Sequence, residues 1–254
     1  MRRSKRRKTS VKSYSETEMA NKFDIRDGKI TEKTKTPIGY KKGPICEVYA
    51  KRMPLPKRCP KTGVLKFADH PEFRPNLTPK EVLHAGSFGG TYFRPIYSSV
   101  TGKSYKNAHE EFPKEWFEGL NLKRQVTRST YDKGVNKYGV KCGGDLHMWE
   151  SSGWMSNIDP YGWFQWYCRF YMGRRSSDDA RQISRGNGVA GAKGRFRNQL
   201  IGRCSRANKC FDDVSISPVI RQALLHWGYE LTQADADAYV ARKHNLRKLP
   251  RKKK

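Results

Sequence analysis

A helix without a polar stripe constrains this chain more than any other feature. Residues 158–182 read IDPYGWFQWYCRFYMGRRSSDDARQ, and seven of the eleven positions from Tyr161 to Tyr171 are aromatic. Asp159 is placed to accept from the free amides of a first turn, Pro160 is pre-set for the first helical position, and Gly173 suits a left-handed residue just past the end. The spacing predicts a helix of about three turns. A helix that is apolar all round must be wrapped by other elements, so this one is expected to be the central post of the fold. Immediately downstream the character reverses, with Arg174, Arg175, Asp178, Asp179, Arg181 and Arg185 falling within twelve residues. The functional surface is expected at that charge-dense corner.

The elements around the post are read from caps and periodicity. Thr78-Pro79-Lys80-Glu81 is a capping box with proline at the first position, which predicts a short helix ending at Gly86. Phe88-Gly89-Gly90 calls for a sharp bend or the close approach of another chain segment. Asn107–Leu120 is expected to contain a second helix, with Pro113 opening its Lys114–Phe117 turn, and residues 144–152 read as a short helix stopped by Gly153, with Trp154 inserted in the core. Ser176, Ser177, Asp178 and Asp179 carry the capping signals of a helix to about Arg185. The four glycines of 186–197, among Lys193, Arg195 and Arg197, read as a flexible loop, without the Gly-Lys-Ser/Thr ending or the preceding strand of a P-loop. Val219 to Leu231 repeats Ile220, Leu224, Trp227 and Leu231 at helical spacing, and a polar helix is expected from Gln233 to about His244. Strand patterns are sparse. The expected fold is mainly α: a single compact helical domain over 73–235, with irregular loops and disordered basic tails. Residues 1–20 read as a basic tail, 21–72 as an irregular polar arm, and 236–254 as a helix end running into a second basic tail.

The formal net charge is +28, of which seven cations lie in Met1–Ser13 and eight in Arg242–Lys254. That leaves +13 for the middle, so the folded part is itself cationic. A surplus of this size favours DNA or RNA through counterion release. No run of eighteen apolar residues exists and the basic N-terminal stretch lacks an apolar segment behind it, which argues against a membrane partner and against secretion and for the nucleus or cytoplasm. Cys46, Cys59, Cys142, Cys168, Cys204 and Cys210 are scattered, which suits reduced thiols. The nearest pair, Cys204 and Cys210, is too widely spaced for a zinc ribbon or finger, so no metal site is expected.

Arg174, Arg175, Arg181, Arg185, Lys193, Arg195 and Arg197 are the expected phosphate-backbone contacts, with Arg94 and Arg169 in structural pairs. Lys123, Arg124, Arg128, Lys133, Lys137 and Lys141 interleave with Tyr131 and Tyr138, the pattern of a groove that tracks a backbone and stacks bases. The leading expectation is a nucleic-acid-binding protein with no small-molecule cofactor. The alternatives are a nuclease or glycosylase using Asp178, Asp179 or His226, with Mg²⁺ as the cofactor such chemistry would call for, and a structural protein that packages a genome. The structural reading of the same residues is that Asp178 and Asp179 cap a helix and His226 is a satisfied buried histidine.

Seven segments of 73–232 form a set: Leu77–Pro79, Phe88–Arg94 (FGGTYFR), Asn136–Val140, Gly162–Tyr171 continuing into Gly173–Arg175 (GWFQWYCRFYMGRR), Asp179–Ile183, and Arg221–Trp227 (RQALLHW). In these motifs the chain resembles an uncharacterised family of sequences from fungi, algae, large DNA viruses and some bacteria. No activity comes with the resemblance, which implies a domain boundary rather than a function.

Overall fold

The computed structural model describes residues 23–26, 29–32 and 52–248, and places side chains for 52–242. The chain is mostly helical. Helices α1 (Pro79–His84), α2 (Leu122–Gln125), α3 (Leu146–Ser151), α4 (Trp163–Tyr171), α5 (Asp179–Ala190), α6 (Arg195–Arg206), α7 (Pro218–His226) and α8 (Gln233–Lys248) are joined by irregular loops and short 3-10 turns. Three antiparallel two-stranded ribbons complete the described residues: β1 (Phe23–Arg26) with β2 (Lys29–Glu32), β3 (Lys57–Arg58) with β4 (Leu65–Lys66), and β5 (Ile96–Ser98) with β6 (Lys103–Tyr105). The tail over 1–20 and residues 249–254 of the C-terminal tail lie outside the described residues.

The aromatic helix is the post. In α4 every residue except Arg169 and Tyr171 is buried, and Trp166, Tyr167, Cys168 and Phe170 are fully inaccessible. Buried indoles need partners for their N–H groups, and these come from α5: Trp166 Nε1 donates to Asp179 Oδ1 at 2.8 Å and Trp163 Nε1 to the carbonyl of Gln182 at 3.1 Å. A second, smaller core joins Phe196, Leu200, Ile220 and Leu224 between α6 and α7, and Trp227 packs against both cores.

Several boundaries differ from the sequence reading. The packed unit begins upstream of Phe73: Leu65 and Phe67 lie in the main core, and Met53 N donates to Gly173 O at 2.9 Å. Gly173 holds φ +88°, as its position past the post required, and a Cβ there would lie 2.0 Å from Met53 O. The post starts at Trp163, not Pro160, with Gly162 as its N-terminal cap residue. Asp159 does not cap it. Its role passes to tertiary partners, since Tyr92 Oη accepts from Gln165 N at 2.7 Å and Gln165 Oε1 from Tyr161 N at 3.0 Å. Residues 186–190 extend α5 instead of forming a flexible loop. Gly186 faces the rings of Trp163 and Phe73, where a Cβ would sit 3.3–3.4 Å away, so glycine is there for packing. Helix α6 was not legible. Helix α7 stops at His226, five residues before the expected end, where Gly228 takes φ +68°.

Candidate functional site

The charge-dense corner after Gly173 points inward. Arg174 Nη1 and Nη2 donate to the two oxygens of Asp159 at 2.8 and 2.6 Å, and both residues are buried. Arg169 joins them, 3.0 Å from Asp159, while forking onto Glu111 at 2.5 and 2.6 Å. Burial pushes the Asp159 carboxyl up while Arg174 and Arg169 pull it down. Arg175 forks onto Asp69 at 2.7 and 3.0 Å and lies 3.8 Å over the Phe170 ring, and this pairing holds the Asp69 carboxyl below its usual range. Arg181 is bidentate on Asp178, and Arg197 pairs with Asp235. Asp159, Asp178 and Asp235 are buried, and the exposed Asp69 forks onto a buried Arg175, so these guanidinium groups spend their donors inside the fold.

Of the seven expected backbone contacts, Arg174, Arg175, Arg181 and Arg197 are therefore structural ion pairs. Lys193 and Arg195 are exposed. Arg185 is neither, and returns below. For Arg175 and Arg197 the neutralising carboxylates are remote in sequence, Asp69 lying 106 residues from Arg175 and Asp235 38 from Arg197; for Arg181 the partner is Asp178, three residues away, which in the sequence reads as a helix cap. Arg169 is in the structural pair expected of it. Arg94 donates to the Thr91 carbonyl at 3.1 Å, without a carboxylate partner among the described residues.

The carboxylates offered for catalysis are likewise occupied. Asp178 accepts from Arg181 and from Gln182 Nε2 at 2.8 Å. Asp179 accepts from Trp166, from Ser176 Oγ at 2.7 Å and from Ser176 N at 2.9 Å. Among the described residues, no group of three or more His, Cys, Asp or Glu side chains is arranged to hold a metal ion. None of the helices among them is long and apolar enough to cross a membrane.

His226 and Arg185 meet instead on a cavity of about 670 Å³ that the sequence did not reveal. Its walls come from the 3-10 turn at Phe88–Gly90, the loop 129–145, α3, the start of α4, α5 and the end of α7. Four of the six tryptophans line it: Trp149, Trp154, Trp163 and Trp227. Trp163 and Trp227 lie 4.5 Å apart, and the Arg185 guanidinium stands 5.7 Å from the ring centres of both Trp154 and Trp227. Trp154 is only half-buried, because it faces this cavity and not the core.

The polar groups inside it are few and defined. His226 Nε2 accepts from Phe88 N at 2.9 Å and faces Gln222 Nε2 at 3.0 Å, and the ring stacks on Phe88 with centroids 4.1 Å apart. An acceptor Nε2 assigns the proton to Nδ1. Burial pushes the His226 pKa down to about 3, so the ring is neutral at physiological pH. Arg185 Nη1 donates to Gln182 Oε1 at 2.9 Å and to the Trp154 carbonyl at 3.4 Å, while Nη2 and Nε make no hydrogen bond and the guanidinium meets no carboxylate within ion-pair distance among the described residues. Burial, with Arg181 adding repulsion, pushes the Arg185 pKa down to about 9, which still leaves a cation at neutral pH. It is a cation short of a counter-charge.

One wall of the cavity stores strain. Phe88 adopts φ +55°, followed by Gly89 at +57° and Gly90 at +73°. The two glycines are required by contact: a Cβ on Gly89 would be 2.6 Å from the Tyr131 ring, and one on Gly90 2.1 Å from Arg124 O. A left-handed Phe costs on the order of 1–3 kcal/mol. It is held by the bond to His226 and by Gly89 N donating to Asn136 Oδ1 at 2.8 Å. The basic segment that presses here contributes Ser129, Tyr131 and Lys141 to the lining. Arg128 and Lys137 of that segment are paired with Asp132 and Glu230, while Lys123, Arg124, Lys133 and Lys141 are exposed. The interleaving of cations and aromatics over 121–143 is thus carried by a segment that borders the cavity.

No family model, curated protein or solved structure matches this chain, so the geometry itself carries the functional argument.

Proposed function

We propose that the chain binds nucleic acid, DNA or RNA, by receiving one unstacked base in the tryptophan-lined cavity while exposed cations at its border meet the phosphates. The observation that carries this reading is the combination of four tryptophans, one uncompensated arginine and a basic lip around a single cavity of about 670 Å³. That volume falls within the range of about 300–1,000 Å³ typical of small-ligand sites. Every base offers a π-face, and stacking on an aromatic side chain contributes about 1–3 kcal/mol per base. An aromatic cage can also serve a quaternary ammonium ligand. Here the Arg185 cation flanked by Trp154 and Trp227 repels such a ligand and favours an electron-rich one. A base must leave its stack to enter, which costs least in a single strand, so single strands are the preferred partner. The net charge of +28 adds an unspecific, salt-sensitive attraction, and such a partner is met in the nucleus or cytoplasm.

Tryptophan fluorescence titrated with short single- and double-stranded oligonucleotides at low salt tests the proposal. Saturable quenching is expected with single strands, and Trp154→Ala should weaken their binding by roughly 5- to 150-fold, the equivalent of one stacked base. Binding that is equally tight for duplex and single strand, and indifferent to Trp154→Ala, would place the interface elsewhere and refute the cavity reading.

A further inference from the structure

We infer that the cavity selects guanine, with Arg185 and His226 reading the O6 and N7 edge of the base; this rests on the base-binding reading above. The polar groups on the α5–α7 side of the cavity are donors. Arg185 turns Nη1 to Gln182 Oε1 and the Trp154 carbonyl and keeps Nη2 and Nε without a partner among the described residues. His226 uses Nε2 as an acceptor toward Phe88 N, which leaves Nδ1–H as a donor with no hydrogen bond among the described residues. Two adjacent acceptors answer such a set, and guanine is the base whose O6 and N7 provide them, with arginine its commonest reader. Adenine sets the N6 amino donor beside N7, so an arginine there meets a donor. An unstacked cytosine sets O2 beside N3, and thymine or uracil flanks N3–H with O2 and O4, so guanine is singled out by joining two acceptors on one edge to two N–H donors on the other. The remaining edge of guanine carries N1–H and N2–H donors, and the lining holds one carboxylate, Asp145. Its Oδ1 already accepts from Met148 N at 2.7 Å, which fixes the side chain and leaves Oδ2 to accept from a ligand. A neutral His226 matters here, because a protonated ring would lose the Nε2 acceptor that holds the Phe88 wall.

The experiment titrates the full chain, by tryptophan fluorescence, with a short oligothymidylate carrying one central guanine, adenine or 7-deazaguanine. The guanine strand is expected to bind about tenfold or more tighter than the other two, since 7-deazaguanine differs only by losing the N7 acceptor. Arg185→Met should level the three affinities, and Arg185→Lys should restore the charge without restoring the preference. The comparison of guanine with 7-deazaguanine uses the unaltered protein, so it stands even if a variant does not fold. Equal affinity for all three strands would overturn the guanine inference while leaving the strand-binding reading in place. Absence of binding by any strand would overturn both. Guanosine monophosphate binding as tightly as the strand would sustain the guanine edge and move the site's occupant from a strand to a free nucleotide.

Discussion

Acidification from pH 7 to about 4.5 is expected to cost the fold a measurable part of its stability through His226 alone. The ring is buried against Phe88, its Nε2 is an acceptor, and burial lowers its pKa to about 3 from an ordinary value of 6.5. Between those two values the unfolded chain binds a proton that the folded chain refuses, so stability rises with pH across the window and is lost as the pH falls. At pH about 4.5 the unfolded histidine lies two units below its pKa while the folded ring is still neutral, and each unit is worth about 1.36 kcal/mol, giving a loss of roughly 2.7 kcal/mol. Urea unfolding of the native chain and of His226→Gln at the two pH values isolates this contribution. Glutamine keeps an acceptor oxygen for Phe88 N and does not titrate, while every other group titrates in both proteins. The native chain should lose roughly 2–3 kcal/mol more than the variant on acidification. Equal losses would mean that His226 is already solvated or protonated in the native fold, and the donor assigned to its Nδ1 would fall with it.

Three shorter predictions follow from the same contacts. Asp159→Asn should destabilise by about 3–5 kcal/mol, because it strands the buried Arg174 guanidinium, and the double change Asp159→Leu with Arg174→Met should cost less than Asp159→Asn alone in thermal unfolding. Gly173→Ala should cost about 2–4 kcal/mol by calorimetry, since it sets a Cβ against the Met53 backbone at a positive φ. Lys141→Ala should flatten the dependence of log affinity for a single strand on log salt by about 0.7, without altering the fluorescence change at saturation.

What the sequence made legible is what local chemistry decides. The capping box of α1 forms as written, with Thr78 Oγ1 accepting from Glu81 N at 3.2 Å and Glu81 Oε2 accepting from Thr78 N at 2.7 Å. The aromatic post is buried because nine residues without a polar stripe have no other place. Gly173 is left-handed where the end of that post demanded it. The site was not legible, because its parts sit at Phe88, Trp149, Trp154, Arg185 and Trp227, and only the packing of five elements brings them together. The arginine cluster misled for the same reason. A run of arginines with a few aspartates nearby reads as a cationic face, yet Asp69, Asp159 and Asp235 turn it into the electrostatic seam between the post and its surroundings. The signal that could have pointed to the cavity was the count of tryptophans, which exceeds what one helical core needs, together with the interleaved segment 121–143.

The seam and the cavity are two outcomes of one constraint. A guanidinium drawn out of water without a carboxylate is costly, and a fold of this kind keeps one only where something else meets the charge. Arg174, Arg175 and Arg181 each receive a carboxylate of the fold; Arg185, one turn beyond Arg181 on α5, receives an amide oxygen, the Trp154 carbonyl and two indole rings. Those partners orient the guanidinium without neutralising it, and the donors left over open on the cavity. Had evolution required only a stable α5, a methionine at 185 would pack against Trp154 and Trp227 without the desolvation cost. Arg185→Met is accordingly expected to leave the urea midpoint unchanged or raised while weakening ligand binding, an opposition of stability and binding that a purely structural arginine would not produce.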